Sequence, residues 1–221
     1  MSFHKTNRFV FLCFVLAFGS LFCFSQSNIK FHKIGIENGL SQNSVNCITQ
    51  DKFGFLWFGT RSGLNKFDGY NFSVYQFNPR DTNSLSDNWV NCISKSSNGE
   101  ILVGTRYGGI TRFNSVTNKI IRYQHSIRNK NSLSSNTVNC LLETKDGTLW
   151  AGTEEGLNYA VLNSDKFNIL QNPLDPEFLK AKITSLYYDK KGSLWIGAYL
   201  NELTEYHIQE DRKSTRLNSS H

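Results

Sequence analysis

The nine residues "KDGTLWAGT", Lys145–Thr153, decide how this chain folds, because close variants of them occur three more times. The variants are "KFGFLWFGT" from Lys52, "SNGEILVGT" from Ser97 and "KKGSLWIGA" from Lys190. Each begins with a turn that contains glycine and continues into an apolar stretch that ends in Gly-Thr or Gly-Ala. A pattern that recurs four times in 221 residues indicates a fold made of repeated structural units.

The repeat extends beyond these nine residues. Aligned on the motif "VNC", the units begin at Val45, Val90, Val138 and Ile183, with spacings of 45, 48 and 45 residues. Glycines recur at two fixed positions in every unit, and a large apolar residue recurs between them: Trp57, Leu102, Trp150 and Trp195. The spacing inside the unit is constant while the connecting segments vary, which is typical of a structural repeat.

Each unit contains four short stretches that are typical of β-strands. In unit one they are "SVNCITQ", "FLWFGT", "GLNKF" and "FSVYQF". Apolar residues lie on both faces of these strands, since Val45 and Ile48 have opposite parity, as do Leu56 and Trp57. A sheet that is apolar on both faces must be covered on both. Radial stacking of small antiparallel sheets covers them, and a period of about 40–50 residues with four strands is typical of a β-propeller.

The sequence therefore predicts an all-β fold, an incomplete β-propeller with about three and a half four-stranded blades of a seven-bladed ring. The predicted blades are 43–77, 88–125, 136–171 and 181–208, and residues 29–34 are predicted to be a closing strand that completes the sheet of a last blade. We predict that Trp57, Leu102, Trp150 and Trp195 fill the wedges between blades, and that Leu102 packs less completely than a tryptophan.

An open half-ring leaves two blade faces uncovered. If four or five large apolar side chains on each face lose about 1.5–3 kcal/mol apiece, the deficit is about 6–15 kcal/mol per face. This deficit is comparable with the free energy of unfolding of a whole domain, about 5–15 kcal/mol. We therefore expect residues 26–210 alone to be aggregation-prone or oligomeric.

The two ends of the chain differ from the repeats. Residues 1–25 are predicted to be a signal peptide, because a basic flank precedes the apolar run Phe9–Phe24 and Ser25 suits a cleavage site. A membrane anchor is the alternative, although this run is shorter than the about 20 residues that cross a bilayer. Residues 209–221, with "DRKSTRLNSSH", resemble a translated sequencing adapter and are expected to be a non-native or disordered tail. Part of the net charge of +6 lies in these two ends and the remaining charges are spread along the chain, so nucleic-acid contact is not expected.

The units "VNCITQDKFGFLWFGTRSGLNKFDGYNFSVYQF" and "VNCLLETKDGTLWAGTEEGLNYA" resemble the two-component regulator propeller repeat, with its Gly turn, Leu-Trp-Ile-Gly-Thr and Gly-Leu-Asn. The resemblance covers residues 29 to about 208. Unit two departs from the pattern with Leu102 and with Gly109-Ile110, and unit four has Asn201-Glu202 where Gly-Leu is expected.

The resemblance implies the N-terminal periplasmic sensor part of a hybrid two-component histidine kinase that is anchored in the inner membrane. A β-sandwich domain, a membrane helix, a kinase, a receiver and a DNA-binding domain would follow further blades, and the full-length protein would form a dimer. Glycan fragments are the usual cue, so an oligosaccharide is the implied ligand. The signalling chemistry would lie outside these residues.

Residues typical of catalysis are scattered. The five histidines are His4, His32, His125, His207 and His221, and no metal-binding spacing or nucleophile motif accompanies them. The sequence predicts no catalytic residue, no metal site and no cofactor. Cys47, Cys92 and Cys140 occupy one position in successive units, where equivalent residues are expected to lie too far apart for disulfides. They are predicted to be small core residues.

The loops after each Gly-Thr pair hold the candidate ligand-binding residues. They are Arg61, Arg106, Tyr107 and Tyr199, with Trp89 ahead of a first strand and Glu154 and Glu155 in the third loop. Aromatic and charged groups at one mouth of the ring would suit a sugar. The alternative is that the arginines are solvated turn residues and that the tryptophan packs on the next blade.

The sequence leaves two other functions open. One is a secreted propeller that acts as a lectin or adhesion scaffold. The other is a propeller enzyme such as a polysaccharide lyase or a quinoprotein, which requires clustered histidine, tyrosine or acidic residues or quinoprotein docking motifs, and the sequence has neither. A fold by itself does not settle function.

Overall fold

The computed structural model describes residues 30–161, 164–170, 180–199 and 203–208. The predicted signal peptide at 1–25 and the predicted tail at 209–221 lie outside this part. Among the residues that it covers, no helix has the length and apolar character needed to cross a membrane. The chain divides into two units after Lys33, and the described residues of the first unit, 30–33, have no regular secondary structure.

The second unit is almost entirely β-structure, which confirms the predicted fold class. A short 3-10 helix, Ile36–Asn38, precedes the strands. The strands are β1 (Val45–Gln50), β2 (Leu56–Thr60), β3 (Gly63–Phe67), β4 (Phe72–Tyr75), β5 (Val90–Lys95), β6 (Ile101–Thr105), β7 (Ile110–Asn114), β8 (Lys119–Tyr123), β9 (Val138–Glu143), β10 (Thr148–Thr153), β11 (Gly156–Val161), β12 (Asn168–Ile169), β13 (Ile183–Tyr188), β14 (Ser193–Ala198) and β15 (Thr204–His207).

These strands form four antiparallel sheets, each made from consecutive strands. Blade one is β1-β2-β3-β4, blade two is β5-β6-β7-β8, blade three is β9-β10-β11-β12, and blade four has β13-β14-β15 in the described residues. Within each blade every strand pairs with the next along the chain, so all connections inside a blade are hairpins. Together the blades form an incomplete propeller, as the repeat predicted.

The hairpin between the first and second strands explains the glycine at the start of the repeated nine residues. The φ angles of Gly54, Gly99, Gly147 and Gly192 are +90°, +86°, +76° and +94°, a backbone conformation that favours glycine. In blade one the Asp51 carboxylate holds the turn, because its Oδ1 accepts hydrogen bonds from the backbone N–H groups of Phe53 and Phe55 at 2.9 and 3.0 Å.

The apolar core lies between the blades rather than inside one. Three clusters of buried side chains correspond to the three interfaces between successive blades. Trp57, Leu64, Val90 and Phe113 lie between blades one and two; Leu102, Val138, Leu149 and Phe167 between two and three; Trp150, Leu157, Ile183 and Ile196 between three and four. Both faces of blades two and three are therefore apolar because each face packs on a different neighbour.

The wedge residues pack across these interfaces to different extents. The Trp57 ring lies 5.5 Å from that of Phe113 in blade two, and the Trp150 ring lies 5.9 Å from that of Tyr206 in blade four. Leu102 has no exposed surface, contrary to the looser packing expected of it, because the side chains of blade three close over it. Trp195, in the last described blade, is only partly buried.

A β-bulge near the start of the first strand turns the valine and the cysteine of "VNC" toward two different blade interfaces. In blade two the pairing shifts register between Val90 and Cys92, so that the valine packs toward blade one and the cysteine toward blade three. The second glycine of the repeat makes room for this packing. A Cβ at Gly59 would lie 2.5 Å from the Val90 side chain, which is closer than carbon atoms approach.

The segment ahead of blade one has only part of the predicted structure. Residues 30–34 have no regular secondary structure, and residue 29 lies outside the described part, so the closing strand at 29–34 stays a prediction. A β-strand forms by pairing with the edge of a sheet, and the strand at 29–34 was predicted to pair with a further blade. The following residues dock on blade one: Leu40 is buried, and the Ser41 hydroxyl lies 2.9 Å from that of Thr60.

Candidate functional site

The loops that carry the candidate residues lie at one end of the blades, which we call the loop end. It comprises the turns after β2, β6, β10 and β14 and the segments that lead into β5, β9 and β13. Backbone hydrogen bonds join each blade to the next here. The N–H groups of Gly63, Gly109 and Gly156 donate to the carbonyl oxygens of Asn88, Asn136 and Ala181 at 2.8, 2.9 and 3.0 Å.

Four of the five predicted ligand-binding residues meet at the boundary of blades one and two. The guanidinium carbons of Arg61 and Arg106 lie 4.5 and 4.4 Å from the centre of the Trp89 indole. The Tyr107 ring meets the indole edge-on, with centroids 6.2 Å apart and planes at 89°. The Arg106 Nε donates to the Tyr107 hydroxyl at 2.9 Å. We call these four residues the Trp89 cluster.

Both interpretations of these loops describe part of the geometry. The arginines are exposed, as turn residues are, and Trp89 is partly buried at the junction with the preceding blade. However, the guanidinium groups are stacked on the indole and not free in solvent, and cation–π contacts of this kind are worth about 0.5–2 kcal/mol. Tyr107 remains 63% exposed. Ligand binding by the cluster stays a prediction.

Tyr199 lies apart from the Trp89 cluster, in blade four. The ammonium group of Lys182 lies 5.8 Å from its ring centre. Lys182 occupies the position that Trp89 has in blade two, and it also forms an ion pair of 3.3 Å with Glu154 of blade three. The same two loop positions thus join blades by different chemistry, since Arg61 and Trp89 stack where Glu154 and Lys182 form an ion pair.

A cavity of about 710 Å³ opens at the loop end beside Glu155. The segment before β9 contributes His125, Lys130 and Leu133 to its wall, and Ile169 of β12 contributes an apolar surface. The lining combines apolar, hydroxyl and charged side chains, a mixture that suits a polar organic ligand. Of the predicted loop residues, Glu155 lines this cavity.

The sequence did not predict the role of the asparagine in "VNC". In each of three blades its side-chain amide donates to the first-strand carbonyl of the next blade. Asn46 donates to Val90 at 2.8 Å, Asn91 to Val138 at 3.1 Å and Asn139 to Ile183 at 3.0 Å. We call these contacts the asparagine clasps. The signal was present, since Asn recurs in three units and is Thr184 in the fourth.

In the described part of the chain, Cys47, Cys92 and Cys140 are free thiols packed at the blade interfaces. Burial raises the pKa of Cys47 and of Cys140 to about 12, while a hydrogen bond from the backbone opposes the shift. Burial also raises the pKa of Cys92 well above the ordinary value for a thiol. A thiol is reactive as its thiolate, so these groups are poor nucleophiles near neutral pH.

Potential metal-ligating side chains are dispersed in the described part of the chain. Across its four segments, no three histidine, cysteine, aspartate or glutamate side chains come close enough to hold a metal ion. Two of the described histidines have polar neighbours. The Nδ1 of His125 lies 2.7 Å from the Leu133 carbonyl oxygen, and that of His207 lies 3.1 Å from the Ser193 hydroxyl.

Known proteins share the repeat and parts of the sequence. The family model described as "Two component regulator propeller" matches residues 39–62, 132–155 and 178–199, in units one, three and four. "Histidine kinase P4" of Formosa agariphila is 55% identical over 56 residues, which are 25% of this chain and 4% of that protein. This chain therefore spans a small part of the kinase that it matches.

Solved structures share the fold. The extracellular domain of a hybrid two-component system from B. thetaiotaomicron is 29% identical with a TM-score of 0.72, covering 81% of this chain and 25% of that one. A second such domain from the same organism is 21% identical with a TM-score of 0.64, covering 84% and 28%.

A neighbour outside signalling, a catalytically inactive virginiamycin B lyase from Staphylococcus aureus, is 18% identical with a TM-score of 0.58, covering 83% of this chain and 61% of that one. At 18% identity the likeness is one of fold, as it is for the second signalling domain. The repeat matches are more specific, because they fall on the same turn, tryptophan strand and Gly-Thr positions that build the blades. Three segments of the chain, in units one, three and four, thus match the two-component regulator propeller repeat.

Proposed function

We propose that this chain is the exported sensor region of a hybrid two-component histidine kinase and that it binds or relays a glycan-type cue without catalysis. The observation that supports the proposal most strongly is the coincidence of regulator propeller repeats with blades that superimpose on the extracellular domain of a hybrid two-component system. The partial match to a histidine kinase agrees with it.

The construction of the loop end supports a binding role. Aromatic and charged side chains gather there, and the cavity beside Glu155 opens at the same end. Because these groups connect successive blades, a ligand that moves one loop also changes the contacts of that loop with the next blade. Such a site supports recognition and the relay of a rearrangement, for which no catalytic group is required.

The proposed location is the periplasm, with the full-length protein anchored in the inner membrane and acting as a dimer. The similar solved domains are extracellular domains, which supports an exported position. Export is tested by cell fractionation of a tagged chain with and without residues 1–25. We expect the intact chain in the periplasmic fraction and the shortened chain in the cytoplasm.

The function is tested on the full reading frame, read through the region that follows residue 208. We expect a kinase domain there, and we expect ATP-dependent autophosphorylation of the purified protein in membranes to respond to a glycan mixture. The matched control lacks residues 26–208 and should retain autophosphorylation without the response. A reading frame that contains no kinase would contradict the proposal and favour a secreted lectin or adhesion scaffold.

A further inference from the structure

The Trp89 cluster holds two positive charges close together. Because both guanidinium carbons lie within 4.5 Å of the indole centre, they are at most about 9 Å from each other. Arg61 comes from the loop after β2 and Arg106 from the loop after β6, so the two charges come from neighbouring blades. Both guanidiniums are held against the Trp89 indole, which is uncharged and therefore does not neutralise their charges.

Neither guanidinium has a carboxylate partner within the described part of the chain. The ion pairs found there involve Arg112, Lys182 and His207, none of which belongs to the cluster. An acidic side chain does lie nearby, since Asp87 Oδ2 accepts a hydrogen bond from the Tyr107 backbone N–H at 3.1 Å. That carboxylate is not within ion-pair distance of either arginine.

In the described part of the chain, the terminal N–H groups of both guanidiniums have no hydrogen-bond partner. Stacking uses the flat face of a guanidinium, whereas its N–H groups project from the edge. The Arg106 Nε donates a hydrogen bond to the Tyr107 hydroxyl, and the terminal nitrogens of Arg106 make no hydrogen bond among the described residues. Both arginines are exposed and Tyr107 is 63% exposed, so a ligand reaches the cluster from solvent. Since the guanidiniums cover the indole, Tyr107 is the ring left for a sugar to contact.

We propose that Arg61, Arg106 and Tyr107 form a subsite for an acidic sugar, one that carries a carboxylate or a sulfate ester. Each guanidinium offers a pair of N–H donors to an oxyanion, as the guanidinium fork does with planar oxyanions, while the tyrosine ring contacts the sugar. An anion also relieves the repulsion between the two uncompensated charges. The subsite rests on the proposed binding function and narrows its ligand to anionic oligosaccharides.

The test is calorimetric titration of the chain with three probes: trigalacturonate, its fully methyl-esterified form, and a sulfated galactose trisaccharide. We expect binding of at least one acidic probe, weakened by added salt, and no binding of the ester. Binding of the first probe alone identifies a carboxylate subsite, and binding of the third alone identifies a sulfate subsite. The double variant Arg61→Gln, Arg106→Gln should weaken acidic-probe binding by about tenfold or more.

The control is Arg128→Gln, which removes an exposed arginine charge from a different loop and should leave binding unchanged. Arg61→Lys with Arg106→Lys keeps the charge without the fork and should bind between the wild type and the glutamine variant. Circular dichroism of each variant checks that the blades are intact. Equal affinity for ester and acid, unchanged affinity in the glutamine variant, or no binding of either acidic probe would overturn the subsite. None of these results affects the kinase test of the proposed function.

Discussion

The recurring tryptophan has a hydrogen-bond partner for its indole N–H in blade one and lacks one in blade three. Trp57 Nε1 donates to Asp51 Oδ2 at 2.8 Å in the blade interface. Blade three has Thr144 at the aspartate position, and Trp150 Nε1 is buried without a partner among the described residues. The single residue six positions before the tryptophan therefore decides whether a buried donor is satisfied.

Replacing this acceptor should destabilise blade one. Asp51→Asn retains an oxygen for the turn but can no longer satisfy the indole N–H as a carboxylate does, so we expect a loss of about 1–3 kcal/mol in the free energy of unfolding. Urea denaturation measures it. In a Trp57→Phe background the same substitution should cost much less, because no indole donor remains. Equal costs in both backgrounds would show that the turn, and not the tryptophan, requires the aspartate.

Because the thiols are buried, we expect the free energy of unfolding to fall at alkaline pH. Burial raises the pKa of Cys140 to about 12, whereas the same thiol in an unfolded chain ionises near pH 9. Above pH 9 the unfolded chain therefore binds fewer protons than the folded one, and the stability is lost progressively up to about pH 12. We expect a loss of about 1 kcal/mol per buried thiol between pH 9 and 10.

The measurement compares urea midpoints of the wild type with those of a Cys47→Ser, Cys92→Ser, Cys140→Ser variant at pH 8 and pH 10. Serine is the natural residue at this position in unit four, where Ser185 stands. The variant should lose less stability than the wild type over this range, and parallel losses would contradict the assignment.

At the scale of the strand, the asparagine clasp is what joins the first strands of neighbouring blades. Asn91→Ala should cost about 1–3 kcal/mol, because the Val138 carbonyl loses its side-chain donor at a partly buried interface. Thr184→Ala is the matched control. Thr184 Oγ1 donates to Gly197 of its own blade at an exposed site, so this change should cost clearly less. Chemical denaturation compares the two, and a larger cost for the threonine would contradict the clasp.

The same strand shows how far sequence reasoning reaches. Turn glycines such as Gly147 and the pairing of consecutive strands depend on local chemistry, so the repeat predicted both. Alternation fails at "VNC", because a bulge between Val90 and Cys92 turns two residues of equal parity toward opposite interfaces. The position of Asn91 opposite the next blade follows from that bulge, and a bulge has no reliable sequence signal.

For the candidate site, the sequence also predicted the positions of the loops but not the arrangement of their side chains. The sequence placed Arg61, Arg106 and Tyr107 in loops that follow equivalent strands and Trp89 ahead of a first strand, and it left open whether they form a site or are solvated and packed separately. That the guanidiniums cover the indole could not be predicted, because it depends on side-chain conformations on two blades. Tyr199 belongs with the others by register, yet it lies beside Lys182, since each pair of loops contacts only its neighbours.

At the scale of the whole molecule, the outer faces of the first and last blades are uncovered in the described part of the chain. Ile48 of blade one is 61% exposed, whereas Ile93 and Leu141 at the equivalent positions are partly buried between blades. Tyr187 of blade four is 64% exposed, while its equivalent Leu142 packs against blade four. Each outer face therefore has apolar residues at the positions that are buried in the interfaces, but no neighbouring sheet covers them in the described part of the chain.

These faces should make a chain of residues 26–208 self-associate, since covering one large apolar side chain contributes about 1.5–3 kcal/mol. Sedimentation velocity over a hundredfold concentration range should show a shift from monomer to larger species. Ile48→Glu should move that shift to higher concentration. The matched control is Ile127→Glu, which places the same charge at an isoleucine that is 93% exposed in a loop and should leave the association unchanged. A strictly monomeric wild type, or equal effects of the two glutamates, would show that the outer faces do not drive assembly.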